Sequence, residues 1–161
     1  MEACSTEFRI VTSDSRNEDF LDLITLLDSD LNETNGAEQQ QYDKFNKVDY
    51  IKDVILIYSG GSAIACGAFK EYDSGTVELK RIFVKRDYRN KGLAKSIVKS
   101  LEQLAETKGY KFGILETGKK QMEAIHLYQK LGYVVIDNFL PYVGMENSVC
   151  MKKELKNSTE G

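Results

Sequence analysis

Residues 78–94 read ELKRIFVKRDYRNKGLA, and this stretch decides the fold that we expect for the chain. Its first part continues an apolar run and predicts a strand over Thr76–Val84. Its last part begins a helix, because an apolar stripe at helical spacing runs over Leu93–Ala105 before Lys108-Gly109 ends it. Between strand and helix lies Arg89–Ala94. A phosphate at this junction would meet the free first-turn N–H groups of the helix and the positive end of its dipole.

The predicted strand changes phase along its length. Val77 and Leu79 are apolar at odd positions, whereas Ile82 and Val84 are apolar at even positions. A β-bulge near Lys80-Arg81 would return both sets to one buried face and would leave backbone N–H groups free for a ligand. A strand buried on both faces explains the same pattern, and this alternative stays open.

Composition indicates one soluble globular domain. The chain has 161 residues, of which 42% are hydrophobic and 29% charged. We expect an N-terminal extension over residues 1–7, a domain over 8–155 and a polar tail over 156–161. The formal net charge of −3 argues against a nucleic-acid or membrane partner. Residues 80–99 nevertheless hold eight lysines and arginines against one aspartate, which favours a local anion site.

The remaining pattern predicts a mixed α+β domain, because strands alternate with amphipathic helices. The stretch Ala37–Asn46 is polar and fits either a second helix or a mobile lid. The other predicted strands are Phe8–Thr12, Asp53–Tyr58, Ala63–Phe69, Phe112–Thr117, Tyr133–Ile136 and Val149–Lys153. Of the other predicted helices, the first begins after an N-cap at Asn17 or Ser15 and the second begins at Lys120.

The cysteines and the histidine argue against a metal site. Three cysteines without paired spacing and the single histidine, His126, form no zinc pattern. We expect Cys66 and Cys150 to be buried, reduced thiols and His126 to lie on the surface. No leader-like segment or apolar run of membrane-spanning length is evident, so we expect a cytoplasmic protein.

Two motifs together resemble a known family. Arg89-x-x-Gly92-x-Ala94 after its strand resembles the acetyl-CoA motif R/Q-x-x-G-x-G/A of the GNAT acetyltransferase superfamily. Residues 124–133, AIHLYQKLGY, resemble that superfamily's second signature, and the resemblance extends over about residues 8–153. It implies the GNAT fold, a mixed and mostly antiparallel central sheet flanked by helices, in which the splayed fourth and fifth strands bind acetyl-CoA.

The resemblance also implies roles for individual residues. Tyr128 would be the general acid for the coenzyme sulfur, whereas without the family ordinary aromatic packing is the favoured explanation of this residue. Glu78 would bind the acceptor and take its proton, directly or through water, with a solvent-facing strand carboxylate as the alternative. Tyr142 would contact the acceptor. The residues implied in coenzyme binding are Ile82, Phe83 and Val84 by their backbone, Arg89, Asn90, Lys91, Gly92, Leu93 and Ala94 at the pyrophosphate, and Thr117, beside Leu115 and Glu116, on the opposite strand.

The resemblance implies an acetyl-CoA-dependent N-acetyltransferase. Acetyl would pass directly to the amine of a small molecule, such as an amino acid, within a ternary complex. Two alternatives stay open: an enzyme that acetylates a protein N-terminus or lysine, and a CoA-binding regulatory module with little turnover. Members of the family often form dimers, so a homodimer is one arrangement that the resemblance allows.

Overall fold

A mixed sheet with helices on both faces forms the described part of the chain. The computed structural model describes residues 7–35 and 50–155. The elements in chain order are β1 (Phe8–Ser13), α1 (Glu18–Asn35), β2 (Asp53–Ser59), β3 (Ser62–Asp73), β4 (Thr76–Val84), α2 (Leu93–Thr107), β5 (Phe112–Gly118), α3 (Met122–Lys130), β6 (Val134–Ile136) and β7 (Ser148–Glu154).

The sheet has the strand order β1-β2-β3-β4-β5-β7-β6. The neighbouring strands pair antiparallel except β4 and β5, which run parallel. Because a parallel pair needs a crossover, α2 connects these two strands across one face of the sheet. The mixed, mostly antiparallel sheet that the sequence predicted is confirmed.

Each face of the sheet carries its own core. On one face, Ile97 and Leu101 of α2 are fully buried against Ile55, Val77 and Leu79 of the strands. On the other face, residues of α1 pack on residues of β2, β3 and β4. This second cluster comprises Phe20, Leu23, Ile24, Ile51, Val54, Leu56, Ala63, Cys66, Ala68 and Phe83.

The start of α1 follows from its sequence. The Asn17 side chain accepts hydrogen bonds from the backbone N–H groups of Asp19 at 2.8 Å and Phe20 at 3.1 Å. This is the N-cap that Asn17 was predicted to provide, and Glu18 and Asp19 complement the helix dipole in the first turn. The predicted element Ala37–Asn46 and the predicted tail 156–161 lie outside the described residues, and the domain boundaries stay predictions.

A helix that crosses a bilayer needs about 20 mostly apolar residues. Within residues 7–35 and 50–155, no helix combines the length and the apolar character that crossing a membrane requires.

Candidate active site

The two central strands separate halfway along their length. Parallel pairing of β4 with β5 begins at Thr76 and Phe112 and ends at Leu79 and Leu115. Beyond that pair, Lys80–Val84 and Glu116–Gly118 diverge, and the space between them is called the wedge below. The backbone groups along these two facing edges point into the wedge, because a strand presents N–H and C=O groups to both of its sides.

A bulge in β4 produces this divergence. On β3 the pairing advances by two residues, from Cys66 to Ala68, while on β4 it advances by three, from Phe83 to Lys80. Arg81 lies in the extra segment with φ of 60°, a left-handed conformation that is uncommon for a side chain of its size. The bulge predicted near Lys80-Arg81 is therefore confirmed, and with it the reason for the phase change in the apolar pattern.

The bulge separates the side chains of the next residues onto two faces. Ile82 and Val84 pack on the α2 side, whereas Phe83 is buried in the α1 cluster. The side chains of all three residues are packed in one or the other core, so only their backbone groups can contact a ligand in the wedge. Thr117 is half-buried on the opposite strand. This arrangement fits the backbone role predicted for Ile82–Val84.

The N-terminus of α2 lies just beyond the wedge. Gly92 is its N-cap with φ of 79°, and no side chain caps the helix. Asn90 also adopts a left-handed conformation, with φ of 65°. Lys91 and Gly92 are exposed, and an added Cβ at Gly92 would meet nothing within 4 Å. The first-turn N–H groups can therefore be approached by an anion from solvent.

Arg89 connects three elements at this junction. Its Nε donates to the Val84 carbonyl at 2.9 Å, and its Nη2 donates to Asp30 Oδ2 at 2.7 Å. Its guanidinium also lies 5.6 Å from the centre of the Phe83 ring. Asp30 binds Arg86 as well, at 3.4 Å. The sequence did not predict this contact of Asp30 with Arg89, because the 59 positions between them leave no local pattern.

A second group of polar side chains covers the α1 side of β4. Glu78 and Lys80 have side chains only 12% and 14% exposed, and Lys80 Nζ lies 3.9 Å from Glu78 Oε1. The Tyr142 hydroxyl donates to Glu78 Oε2 at 3.4 Å, and Tyr142 itself is buried. Burial raises the pKa of Glu78 and lowers the pKa of Lys80. Contact of Glu78 and Tyr142 with an acceptor stays a prediction.

Glu116 on β5 is a second carboxylate in this group. The Ser148 hydroxyl donates to its Oε2 at 2.7 Å. Burial, with a smaller contribution from the charge of Glu78, raises the pKa of Glu116 to about 7. The sequence placed Glu116 along the wedge but assigned it no chemistry, because the environment that raises its pKa comes from β4 and β7.

Tyr128 of α3 is buried, 8% exposed, and packs edge-on against Tyr133 with ring centres 6.0 Å apart. The Tyr133 hydroxyl donates to Glu102 Oε2 at 2.8 Å, and Lys153 Nζ lies 3.0 Å from Glu102 Oε1. This network fixes the ring on which Tyr128 rests. Burial and then the charge of Glu116 raise the pKa of Tyr128, so it carries its proton at neutral pH.

The remaining candidates lie apart from the wedge or are buried. His126 is exposed, as predicted, and Cys66 and Cys150 are buried free thiols. Burial raises the pKa of Cys66 to about 12 and that of Cys150 to about 11, so neither is a ready nucleophile. Among the residues that the structure describes, no three histidines, cysteines or carboxylates come together as a metal site.

Comparison with known proteins identifies the family. The model of the acetyltransferase (GNAT) family matches residues 19–133, which include both motifs and the wedge. The chain belongs to the GNAT acetyltransferase family. A Klebsiella pneumoniae protein of known structure, assigned as an acyl-CoA N-acyltransferase, is 29% identical with a TM-score of 0.79, over 94% of this chain and 100% of that one.

Two further members of the GNAT family extend the comparison. An Elizabethkingia anophelis acetyltransferase, solved with acetyl-CoA bound, shares the fold at a TM-score of 0.66 and 19% identity, over 94% of this chain and all of that one. The spermine/spermidine N(1)-acetyltransferase of Bacillus subtilis strain 168 is 40% identical over 92 residues. That match covers 52% of this chain and 60% of the relative, so the chain spans less than two thirds of that relative's length.

Proposed function

We propose that this GNAT protein is an N-acetyltransferase that transfers acetyl from acetyl-CoA directly to the amine of a small molecule. The observation that carries the proposal is the wedge itself. An opening between parallel strands leads at one end to the N-terminus of α2, and half-buried carboxylates, Glu116 on β5 and Glu78 on β4, lie close to the point where the strands part. A long anionic coenzyme and a cationic acceptor would meet at the reacting thioester.

The coenzyme would lie along the wedge and over the start of α2. The first-turn N–H groups after Gly92 suit a pyrophosphate, and Lys91 adds positive charge beside them. Within Arg89–Ala94, Arg89 would act mainly by holding the loop, because its guanidinium is bound to Val84 and Asp30. The backbone of Ile82–Val84 and residue Thr117 would border the pantetheine arm. The Elizabethkingia anophelis neighbour, which was solved with acetyl-CoA bound, supports acetyl-CoA as the coenzyme.

Tyr128 would protonate the leaving sulfur. The reaction breaks the C–S bond of the thioester, and the thiolate that leaves needs a proton. Tyr128 is protonated at neutral pH because burial and Glu116 raise its pKa, and Tyr133 fixes its ring. A phenol that keeps its proton until a thiolate forms beside it suits this role.

Glu78 would receive the acceptor amine. Small aliphatic amines are cations at neutral pH and must lose a proton before they attack a carbonyl carbon. Burial raises the pKa of Glu78, which strengthens it as a base, and Tyr142 and Lys80 hold its two oxygens. A buried carboxylate also attracts a cation, so polyamines and other cationic amines are the acceptors that this site favours. The relative named for spermine and spermidine supports this substrate class.

An acceptor panel tests the proposal. Thiol release from acetyl-CoA would be measured with spermidine, spermine, neutral amino acids, an aminoglycoside and short peptides that carry a free N-terminus or a lysine. We expect the cationic small amines to give the highest kcat/KM. A higher value for peptides would instead favour a protein acetyltransferase. Tight acetyl-CoA binding without acceptor-dependent thiol release would favour the regulatory module.

A further inference from the structure

We propose that Glu116 is a second catalytic carboxylate, which takes the proton that the acceptor nitrogen loses after it has bonded to the acetyl carbon. The inference rests on the proposed acetyl transfer and adds to it a residue on the strand opposite Glu78. It stands on the position of Glu116 in the sheet, on its hydrogen bond to Ser148 and on the number of protons that the reaction must move.

The register of the sheet places Glu116 at the point where the strands part. Leu115 forms the last pair with β4, so Glu116 is the first β5 residue beyond it. Leu115 is buried in the α2 core, and the alternation of a strand directs Glu116 to the opposite face. On β7, Cys150 is paired directly opposite Glu116, and Cys150 packs with Tyr142. Glu116 therefore borders the wedge from β5. It lies on the same face of the sheet as Glu78, which is one position before the last pair on β4.

The carboxylate of Glu116 is held in place and partly removed from water. Ser148, itself buried, donates to Oε2 at 2.7 Å. Glu78 raises the pKa of Glu116, whereas Ser148 and Lys80 lower it. The charge of Glu116 in turn raises the pKa of Tyr128, which places the carboxylate close to the proposed acid as well. The titratable or charged groups that face Glu116 are Glu78 and Lys80 on β4, Cys150 on β7, Tyr128 on α3 and Tyr142 in the β6–β7 loop.

The proton balance of the reaction needs two acceptors. An ammonium group loses a first proton to Glu78, and the free amine then forms the C–N bond while the carbonyl electrons move to oxygen. The nitrogen now carries a positive charge and loses a second proton to Glu116. When the carbonyl re-forms, the C–S bond breaks and the thiolate takes the proton of Tyr128. Glu116 returns its proton to Tyr128, Glu78 releases its own to solvent, and the cycle yields amide, free thiol and one proton.

The test compares four single variants in the full chain: Glu116→Gln, Glu78→Gln, Ser148→Ala and, as the matched control, Glu154→Gln at an exposed β7 position. The first readout needs no coenzyme and no activity. Carboxyl carbon NMR of the free protein, labelled at glutamate, should show one resonance that titrates near pH 7. It should vanish in Glu116→Gln, move to lower pH in Glu78→Gln, and move to higher pH in Ser148→Ala.

The second readout is the pH profile of acetyl transfer with the best amine of the acceptor panel. Glu116→Gln should lower kcat about 100-fold or more, the range of general base catalysis, with acetyl-CoA affinity changed less than about twofold. The acid limb of kcat should move to lower pH, because the carboxyl that has to ionise near pH 7 before it can accept a proton is gone. In Ser148→Ala the pKa of Glu116 is higher than in the parent, because the hydrogen bond that lowers it is lost. This variant should therefore reach the parent rate only at a pH high enough to ionise Glu116.

Two results would overturn the assignment. One is a Glu116→Gln enzyme with the kcat and the pH profile of Glu154→Gln. The other is a loss of kcat in Glu116→Gln that leaves the acid limb of the profile in place, since a purely structural role would do this. A parent protein that transfers acetyl to no amine would refute the proposed function instead, and the NMR titration would still report on Glu116.

Discussion

Burial makes Tyr128 a better proton store than an ordinary tyrosine. It is 8% exposed, rests on the ring of Tyr133, and is close enough to Glu116 for that charge to raise its pKa. Both influences keep the hydroxyl protonated at neutral pH. A proton is therefore available on the phenol when the thiolate leaves, and Glu116 would return a proton to the tyrosinate afterwards.

Tyr128→Phe should therefore lower kcat while acetyl-CoA still binds. The substitution keeps the ring and its packing and removes only the hydroxyl, so we expect kcat to fall about 100-fold and the Kd of acetyl-CoA to change less than about twofold. Steady-state rates and calorimetry provide the two numbers. Tyr110→Phe is the matched control, because its hydroxyl bonds Glu71 at the surface. Equal kcat values for the two variants would remove Tyr128 from the acid role.

The ionised carboxylate of Glu116 should destabilise the folded protein at neutral and alkaline pH. Its pKa is about 7 in the native state, above the value of 4.5 of an unperturbed glutamate. The native state thus holds the proton more tightly than the unfolded state, and stability falls as pH rises from about 4.5 towards 7. The free energy of unfolding of Glu116→Gln minus that of the parent should be about 1–3 kcal/mol larger at pH 8 than at pH 4.5.

Urea unfolding of parent and variant at the two pH values measures this difference. Glu154→Gln serves again as the exposed control, and we expect the same pH dependence in it as in the parent. A Glu116→Gln variant whose stability relative to the parent does not change between the two pH values would contradict the raised pKa.

At the scale of elements, the bulge in β4 links the sequence pattern to the site. The shift of apolar residues from odd to even positions indicated the bulge, because burial of one strand face imposes a period of two residues on the sequence. A strand buried on both faces explained the same shift, and the pairing of β3 with β4 decides between the two. The helix start at Gly92 is also indicated locally, because glycine marks a left-handed N-cap. Local geometry of this kind can be predicted from local residues.

Contacts between distant elements could not be predicted in this way. Glu116 and Ser148 are 32 positions apart, and Arg81 and Asp28 are 53 apart. Their pairing depends on strand order and on the position of α1 over the sheet, which no periodicity records. Through the family resemblance the sequence predicted coenzyme binding for Arg89–Ala94 and acceptor contacts for Glu78 and Tyr142, and these roles stay predictions. It did not predict the hydrogen bond of Ser148 to Glu116 or the ion pairs of Asp28 and Asp30.

Gly92→Val should weaken acetyl-CoA binding without unfolding the protein. A Cβ at position 92 has open space around it, so the cost arises from its φ of 79° and from bulk in the path of the pyrophosphate. A left-handed conformation costs a β-branched residue about 1–2 kcal/mol, and relaxation of the loop would move the N–H groups from the ligand. We expect the Kd of acetyl-CoA to rise about tenfold, which corresponds to about 1.4 kcal/mol.

Calorimetric titration with acetyl-CoA measures this effect, and thermal unfolding checks the fold. Gly61→Ala is the control, because position 61 is free of contacts and has no left-handed φ. Unchanged affinity in Gly92→Val would place the pyrophosphate elsewhere.

At the scale of the whole molecule, the basic residues of 80–99 include two groups, arginines that pair with aspartates of α1 and exposed lysines near the start of α2. The chain carries a net charge of −3, yet residues 80–99 are strongly basic. Part of that charge is neutralised within the fold, because Asp28 binds Arg81 and Asp30 binds Arg86 and Arg89. Lys91, Lys95 and Lys99 are exposed near the start of α2. The arginines thus bind α1 to the sheet, and the lysines remain for an anionic coenzyme.

The central claim is direct transfer of acetyl to a cationic amine within a ternary complex. Initial rates of thiol release, measured while acetyl-CoA and spermidine are both varied, test it most directly. We expect double-reciprocal lines that intersect, because the wedge and the carboxylates beside it would hold both substrates at once, and N-acetylated spermidine should form in equal amount to free thiol. Parallel lines would indicate an acetyl-enzyme intermediate, and thiol release that does not depend on amine would show that the carboxylate site receives no acceptor; either result would contradict the account.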